Sequence, residues 1–218
     1  MRRGRCRVDL HSTRVNATEV IDGRTARRNR NRDAVLDAMI DLARLSDDEP
    51  SVDLIAENAG VSYRSVYRYF DDRTELMLAA ISRVMGEAWL ILHIERIGEG
   101  PLDDRITRFI TNRLVAYRQL APLTRHAMRR SVTEPAVRAE FDKARTFLQH
   151  QLEAQFAPEL ARVDPADREL VVAALDVMFQ FEALEFLSRF ESMTDEAMMR
   201  VLTRHVHAHL DAAHPTTS

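Results

Sequence analysis

Residues that turn a chain are scarce here: six glycines and seven prolines in 218 residues. All-β folds consume such residues at every hairpin, so sandwiches, barrels and propellers are disfavoured and an all-α protein is expected. Its longest apolar runs, such as Trp89-Leu90-Ile91-Leu92, fall far short of the roughly 20 residues that span a bilayer, so no membrane partner is expected. No apolar stretch follows the basic N-terminus to make a secretory signal, and a cytoplasmic protein is expected. The single cysteine, Cys6, allows neither a disulfide framework nor a thiolate zinc site. Charge is unevenly spread. Residues 1–32 hold ten arginines against Asp9, Glu19 and Asp22, a balance of +7 that leaves −10 on the rest of a chain with net charge −3. A basic arm ahead of an acidic body points to an anionic partner at the N-terminal end, or to a solvated tail that binds nothing.

Apolar periodicity supplies the elements. Residues 1–24 have no hydrophobic period and read as disordered. Val35, Leu36, Met39, Ile40 and Ala43 then recur at helical spacing, giving a first helix from about Arg27 to Leu45. Pro50 closes the linker that follows. Ser51 is placed to cap a short helix, Val52 to Asn58; Gly60 supplies a turn; Ser62 is placed to cap another, Tyr63 to Tyr69. A long fourth helix is expected from Arg73 to Ile97. Five more complete a count of about nine: Asp103 to Leu120, a short one through Arg130, Pro135 to Phe156, Pro165 to Phe190, and Thr194 to Ala212. No repeat and no sustained heptad is present.

Two short helices joined by a tight glycine turn, behind a longer scaffold helix, make a helix-turn-helix. The residues at this point are specific. Ile55-Ala56-Glu57-Asn58-Ala59-Gly60-Val61-Ser62 is followed by Val66-Tyr67-Arg68-Tyr69-Phe70 and then Arg73-Thr74-Glu75-Leu76. Over about residues 27–80 the chain resembles the DNA-binding domain of the TetR/AcrR-type regulators, whose pattern runs I-A-x-x-A-G-V-S, Y-x-x-F, K-x-x-L. It departs from that pattern at Leu42, where the family usually has Phe, at Asp47, where it has Gly, and at Arg73, where it has Lys. The linker Asp47-Asp48-Glu49 is also acidic for a face near DNA.

On a recognition helix capped by Ser62, helical spacing leaves Tyr63, Arg64 and Arg68 outward while Val66 and Phe70 turn into the core. Arg64 suits a bidentate contact to guanine, and Tyr63 a thymine methyl or a phosphate. The resemblance implies that Ser51, Ser62, Ser65, Tyr67 and Arg73 grip phosphates, with Tyr69 more readily a core residue. Arg27 and Arg28 are placed to follow the backbone or enter a minor groove. The resemblance further implies a body that dimerises through its last two helices and holds an apolar effector pocket. The divisions expected are a disordered basic tail over 1–24, a helix-turn-helix domain over 25–73, an effector-binding and dimerisation domain over 74–212, and a disordered tail over 213–218. Phe186, Leu187, Phe190, Leu202, His205 and His209 are the interface candidates. Trp89, His93, Phe109, Arg113, Tyr117, Met128, Phe147 and Phe179 are the pocket candidates, each aromatic also readable as plain core.

The function implied is a homodimeric repressor that binds a palindromic double-stranded operator and leaves it when a small hydrophobic effector binds. An activator of the same fold is the alternative. An enzyme is disfavoured, because the chain has no phosphate loop, no HExxH and no nucleophile elbow. No cofactor is expected. His205, His207 and His209 invite a metal, but only His205 and His209 share a helix face, and interface or surface histidines are the simpler reading.

Overall fold

A computed structural model describes residues 23–212, and among them every regular element is helical. The segments 1–22, with Cys6, and 213–218 lie outside the described residues. The head comprises α1 (Gly23–Leu45), α2 (Val52–Asn58) and α3 (Tyr63–Val66), closed by the start of α4 (Arg73–Leu92). Val35, Met39 and Ala43 of α1 bury against Ile55 and Ala56 of α2, Val66 and Phe70 behind α3, and Met77 and Ala80 of α4. Gly60 adopts φ +65°, a conformation that costs glycine little, so that Val61 N–H reaches back to the Ala56 carbonyl at 3.0 Å. Arg83 of α4 pairs with Asp33 and Asp37 of α1 at 3.3 and 3.1 Å.

The body comprises α5 (Leu102–Ser131), α6 (Pro135–Gln155), α7 (Ala157–Leu160), α8 (Arg168–Val177), α9 (Phe181–Glu185) with a π-helical turn over Phe186–Phe190, and α10 (Asp195–Ala212). Its core joins Phe109, Ile110 and Leu114 of α5 to Leu152 and Phe156, to Leu175, and to Met198, Leu202 and Val206 of α10.

Several boundaries differ from the sequence expectation, each for a local reason. The first helix starts at Gly23, inside the stretch read as tail. The third stops at Val66, because Arg68 and Tyr69 bond three residues back, to Ser65 and Val66, in tight turns that carry Phe70 into the core. The fourth stops at Leu92 instead of Ile97. The Asn112 amide donates to the Ile91 carbonyl at 2.6 Å and the Gln151 amide to that of Leu92 at 2.8 Å, satisfying the orphan acceptors of the helix end. Two helices expected on either side of Pro122 are one. Burial of Ala121, Leu123 and Ala127 on both sides of the proline holds the helix through the missing N–H. Conversely, the single helix expected from Pro165 to Phe190 is interrupted at Gln180, whose backbone is extended (ψ 152°), and ends in the π turn. The break lets Phe179 sit edge-on to Phe109, centroids 4.9 Å apart. The short helix α7 went unread.

Two polar assemblies hold the parts together. Inside the body, Arg105 forks onto Glu159, Nη1 reaching Oε2 at 2.8 Å, and also donates to the Gln155 carbonyl (2.7 Å) and the Gly100 carbonyl (3.0 Å). The Gln155 amide returns a bond to the Arg105 carbonyl at 2.7 Å and accepts from Gly98 N–H at 2.9 Å. Burial works to raise the Glu159 carboxyl, but the Arg105 guanidinium outweighs it and holds the group below the ordinary range.

Between head and body, the acidic linker is gripped by arginines. Asp47 meets Arg189 at 2.9 Å and Arg125 at 3.3 Å; Glu49 meets Arg73 at 2.9 Å and Arg130 at 3.2 Å. Glu185 binds Arg125 (2.7 Å) and Arg189 (3.4 Å) and accepts from the Tyr117 hydroxyl at 2.7 Å. Buried His126 faces the Ser46 carbonyl through Nε2 at 2.9 Å while Arg129 approaches its Nδ1 at 2.7 Å. The Arg189 hydrogen bond holds the Asp47 carboxyl below its usual value; at Glu185 burial pushes upward and Arg125 prevails. Since both folded values are depressed, the seam is complete above the ordinary carboxyl range and weakens only as pH falls through the lowered values.

Glu159→Ala leaves the Arg105 charge buried without its anion. It is expected to cost about 3–5 kcal/mol of stability, read as a loss of thermal and urea resistance. A change below about 1 kcal/mol would show the pair to be dispensable.

Candidate nucleic-acid interface

The head presents α3 by its first turn. Ser62, in extended conformation, caps it by accepting from Ser65 N–H at 3.2 Å, and the two hydroxyls share a bond at 2.8 Å. Ser51 caps α2 in the same manner, accepting from Leu54 N–H at 3.2 Å. Tyr63 and Tyr67 stand exposed side by side, ring centroids 5.1 Å apart and hydroxyls 3.5 Å apart. The Tyr67 hydroxyl pushes the Tyr63 phenol above its ordinary value, so Tyr63 stays a neutral donor at physiological pH.

Arg64 and Arg68 are exposed, and neither guanidinium makes a hydrogen bond or ion pair to another described residue. Arg27 and Arg28 are exposed on the first turns of α1. Arg73 differs. Its guanidinium is engaged by Glu49 and by the Pro50 carbonyl at 3.2 Å, so it braces the linker from the start of α4. Tyr69 is half-buried, packed on the head core, and its hydroxyl accepts from the Asn31 amide at 3.3 Å. Thus Ser51 and Ser62 stand at the N-termini of α2 and α3, Tyr63, Arg64 and Ser65 on α3 itself, and Tyr67 and Arg68 directly after it. This surface offers hydroxyl and guanidinium donors, with Asp53 near Tyr63, while the linker's Asp47 and Glu49 pair with arginines of the body.

Behind the head, α4, α5, α6 and the α8–α9 break enclose a cavity of about 500 Å³. Of the sequence-predicted pocket residues, Arg113, Tyr117, Met128, Phe147 and Phe179 line it. Phe109 does not: it is fully buried between Phe156 and Phe179 as core. His93 does not either, because α4 ends before it and leaves it exposed. The Trp89 side chain lies outside the described residues. Met85, Leu120, Phe141, Leu148 and Phe181 line the cavity and went unread. Only the helix crossing angles bring them to one space.

The interface candidates divide. Phe186 and Phe190 are exposed and stacked, centroids 5.7 Å apart, with exposed Leu170 and Val177 on α8. Leu202 is 0 % exposed and Leu187 is buried, both facing the chain's own core, so neither presents a surface to a second copy. The π turn and the tight packing of α10 rotate these side chains inward. His205 and His209 are half-buried, with His205 Nε2 bonded at 2.9 Å to the Ala174 carbonyl. His207 faces Asp103 at 3.2 Å. Among the described residues no three His, Cys, Asp or Glu side chains are grouped to hold a metal, and no helix is long and apolar enough to cross a membrane.

The chain is similar to known proteins at two levels. Residues 48–80, from the linker to mid-α4, match the family model described as bacterial regulatory proteins, tetR family. A TetR-family transcriptional regulator from Streptomyces coelicolor superposes with TM-score 0.64 at 26% identity, over 85% of this chain and 80% of that one. A transcriptional regulator from Rhodococcus sp. Rha1 shares the fold with TM-score 0.63 at 20% identity, over 83% of this chain and 96% of that one. No curated protein matches at a significant level.

Ser62→Ala removes the cap of a four-residue helix. It is expected to cost about 0.5–2 kcal/mol of head stability, seen as earlier thermal unfolding, with Ser62→Asp restoring most of it.

Proposed function

We propose that this chain, a DNA-binding transcriptional regulator of the TetR family, acts in the cytoplasm as a homodimeric repressor that a small hydrophobic molecule releases from its operator. The observation that carries the DNA reading is the outer turn of α3. There the Arg64 and Arg68 guanidinium groups are exposed and unengaged among the described residues, beside two tyrosines and two serine caps. Arg64 reads a base edge; the helix N-termini, Ser51, Ser62, Ser65 and Tyr67 position the phosphates; Arg27 and Arg28 add backbone charge contacts. Arg73 contributes through the linker it braces.

Phe186 and Phe190, with Leu170 and Val177, favour pairing of two copies through this face, which would set two recognition helices about one DNA turn apart. The cavity supports the effector reading. Ile81, Val84, Met85 and Leu92 on its wall belong to α4, whose first turn is part of the head. A ligand that tilts α4 shifts α3 relative to its groove, with coupling typically about 1–3 kcal/mol.

Binding to an operator selected from random duplexes, followed by fluorescence anisotropy, tests the base-reading role. Arg64→Ala is expected to lose about 1–3 kcal/mol and relax preference at one position per half-site. Arg28→Ala should weaken cognate and random DNA alike and lower the salt slope by about one per half-site. Equal loss on both DNAs for Arg64→Ala would remove it from base readout. Phe190→Glu is expected to yield monomers by light scattering with the fold intact, and a variant that stays dimeric would place the interface elsewhere.

A further inference from the structure

Helix α5 buries two arginines to the same degree, Arg105 and Arg113, each 3 % exposed. Their surroundings differ in kind. Arg105 has the Glu159 carboxylate. Arg113 has only neutral partners: its Nη1 donates to Gln151 Oε1 at 2.9 Å and Asn112 Oδ1 at 3.3 Å, and its Nη2 to the Leu148 carbonyl at 3.1 Å. The Phe109 ring lies beside the guanidinium, 4.4 Å from centroid to Cζ. No described carboxylate is close enough for an ion pair. Asp176 acts on it only at longer range, and its own carboxylate is held by the Gln180 amide at 2.5 Å. Burial lowers the Arg113 guanidinium to about 10, which still leaves it charged at neutral pH.

A full positive charge thus lies in the inner wall of a largely apolar cavity with no carboxylate paired to it, an arrangement that is costly unless a counter-ion is bound. Nε–H and one Nη2–H have no partner among the described residues, and these two atoms form one edge of the guanidinium fork. Such an edge accepts a carboxylate through two parallel hydrogen bonds. Around it, Met85, Leu120, Phe147 and Leu148 supply a surface for hydrocarbon. Of the other charged lining residues, Arg145 pairs with Glu182 at 2.8 Å, Glu140 with Lys143 at 2.6 Å, Arg138 donates to the Ser131 and Val132 carbonyls, and Asp142 is exposed to solvent.

We infer that the cavity takes an amphiphilic monocarboxylate, its carboxylate paired with Arg113 and its hydrocarbon part packed among the α4, α5 and α6 side chains. A monoanion matches the single buried cation, whereas a phosphate monoester would leave excess negative charge in the apolar site. The inference rests on the proposed effector cavity and narrows its ligand from any hydrophobic molecule to an anionic one.

Calorimetry on the full chain with dodecanoate and dodecanol, both below their micellar concentrations, tests it. The wild type is expected to bind the acid at least about tenfold more tightly than the alcohol, as a charge-assisted bidentate pair should. Arg113→Gln should erase that preference while leaving the alcohol's affinity nearly unchanged; Arg113→Lys, which keeps the charge without the fork, should retain part of it. Equal wild-type affinities, or a preference that survives in Arg113→Gln, would overturn the assignment, and the wild-type comparison stands even if a variant fails to fold. An operator-release assay with the same probes separates the two readings. Alcohol that binds and releases DNA as well as acid sinks the carboxylate site but not the effector cavity. Acid that binds preferentially without changing DNA affinity supports the carboxylate site and sinks the effector role. Binding of neither sinks both.

Discussion

The orientation of the head on the body depends on six residues of ionic contact. Asp47 and Glu49 sit in the linker between α1 and α2; Arg125 and Arg130 of α5 and Arg189 of the π turn receive them, and Glu185 at the end of α9 holds Arg125 and Arg189. Each exposed pair alone would contribute little, because water competes for it and side-chain entropy opposes it. Here the pairs share members, with Arg125 bridging Asp47 and Glu185, and His126 fills the gap beneath by bonding to Ser46. Holding one arginine therefore helps to hold the next. An acidic linker that looks misplaced beside a DNA-binding face is thereby largely accounted for: Asp47 is spent on the body, and Glu49 is shared between Arg130 of the body and Arg73 of the head.

The same seam touches the cavity. Tyr117 lines the cavity and donates its hydroxyl to Glu185, which binds the arginines that grip Asp47. Under the proposed effector role, a cavity occupant would have two physical routes to the head, the α4 rod and this polar chain. They differ in character. The rod transmits displacement through packed side chains, while the polar chain transmits a change in the position of one carboxylate.

What could be read from the residues was the part governed by local rules. The caps at Ser51 and Ser62, the turn at Gly60 and the apolar stripe of α1 are set within a few residues, and their elements appear, although α1 starts earlier and α3 ends sooner than the spacing gives. The reading failed where tertiary packing overrode a local signal. Pro122 looks like a terminator, yet burial on both sides carries the helix through. The run from Pro165 to Phe190 looks like one apolar helix, yet it breaks at Gln180 so that Phe179 can enter the core. Leu202 has the look of an interface residue because a stripe of apolar side chains is the same whether it faces its own core or a second copy. The Arg113 site was visible as a candidate, but its lack of an anionic partner was not: that depends on which side chains α6 and α8 bring alongside.

The recognition helix is four residues long, well below the length at which a helix is stable in water by itself. Its order is borrowed from Ser62 at one end and from Val66 and Phe70, buried in the head, at the other. The surface that meets a partner therefore has no independent folding equilibrium. Its amide hydrogens should exchange with solvent through the same opening events as the α1–α4 core, as one cooperative unit. Evolution of a new binding preference can change the outward side chains freely, but it cannot lengthen or loosen this turn without also altering how the whole head folds.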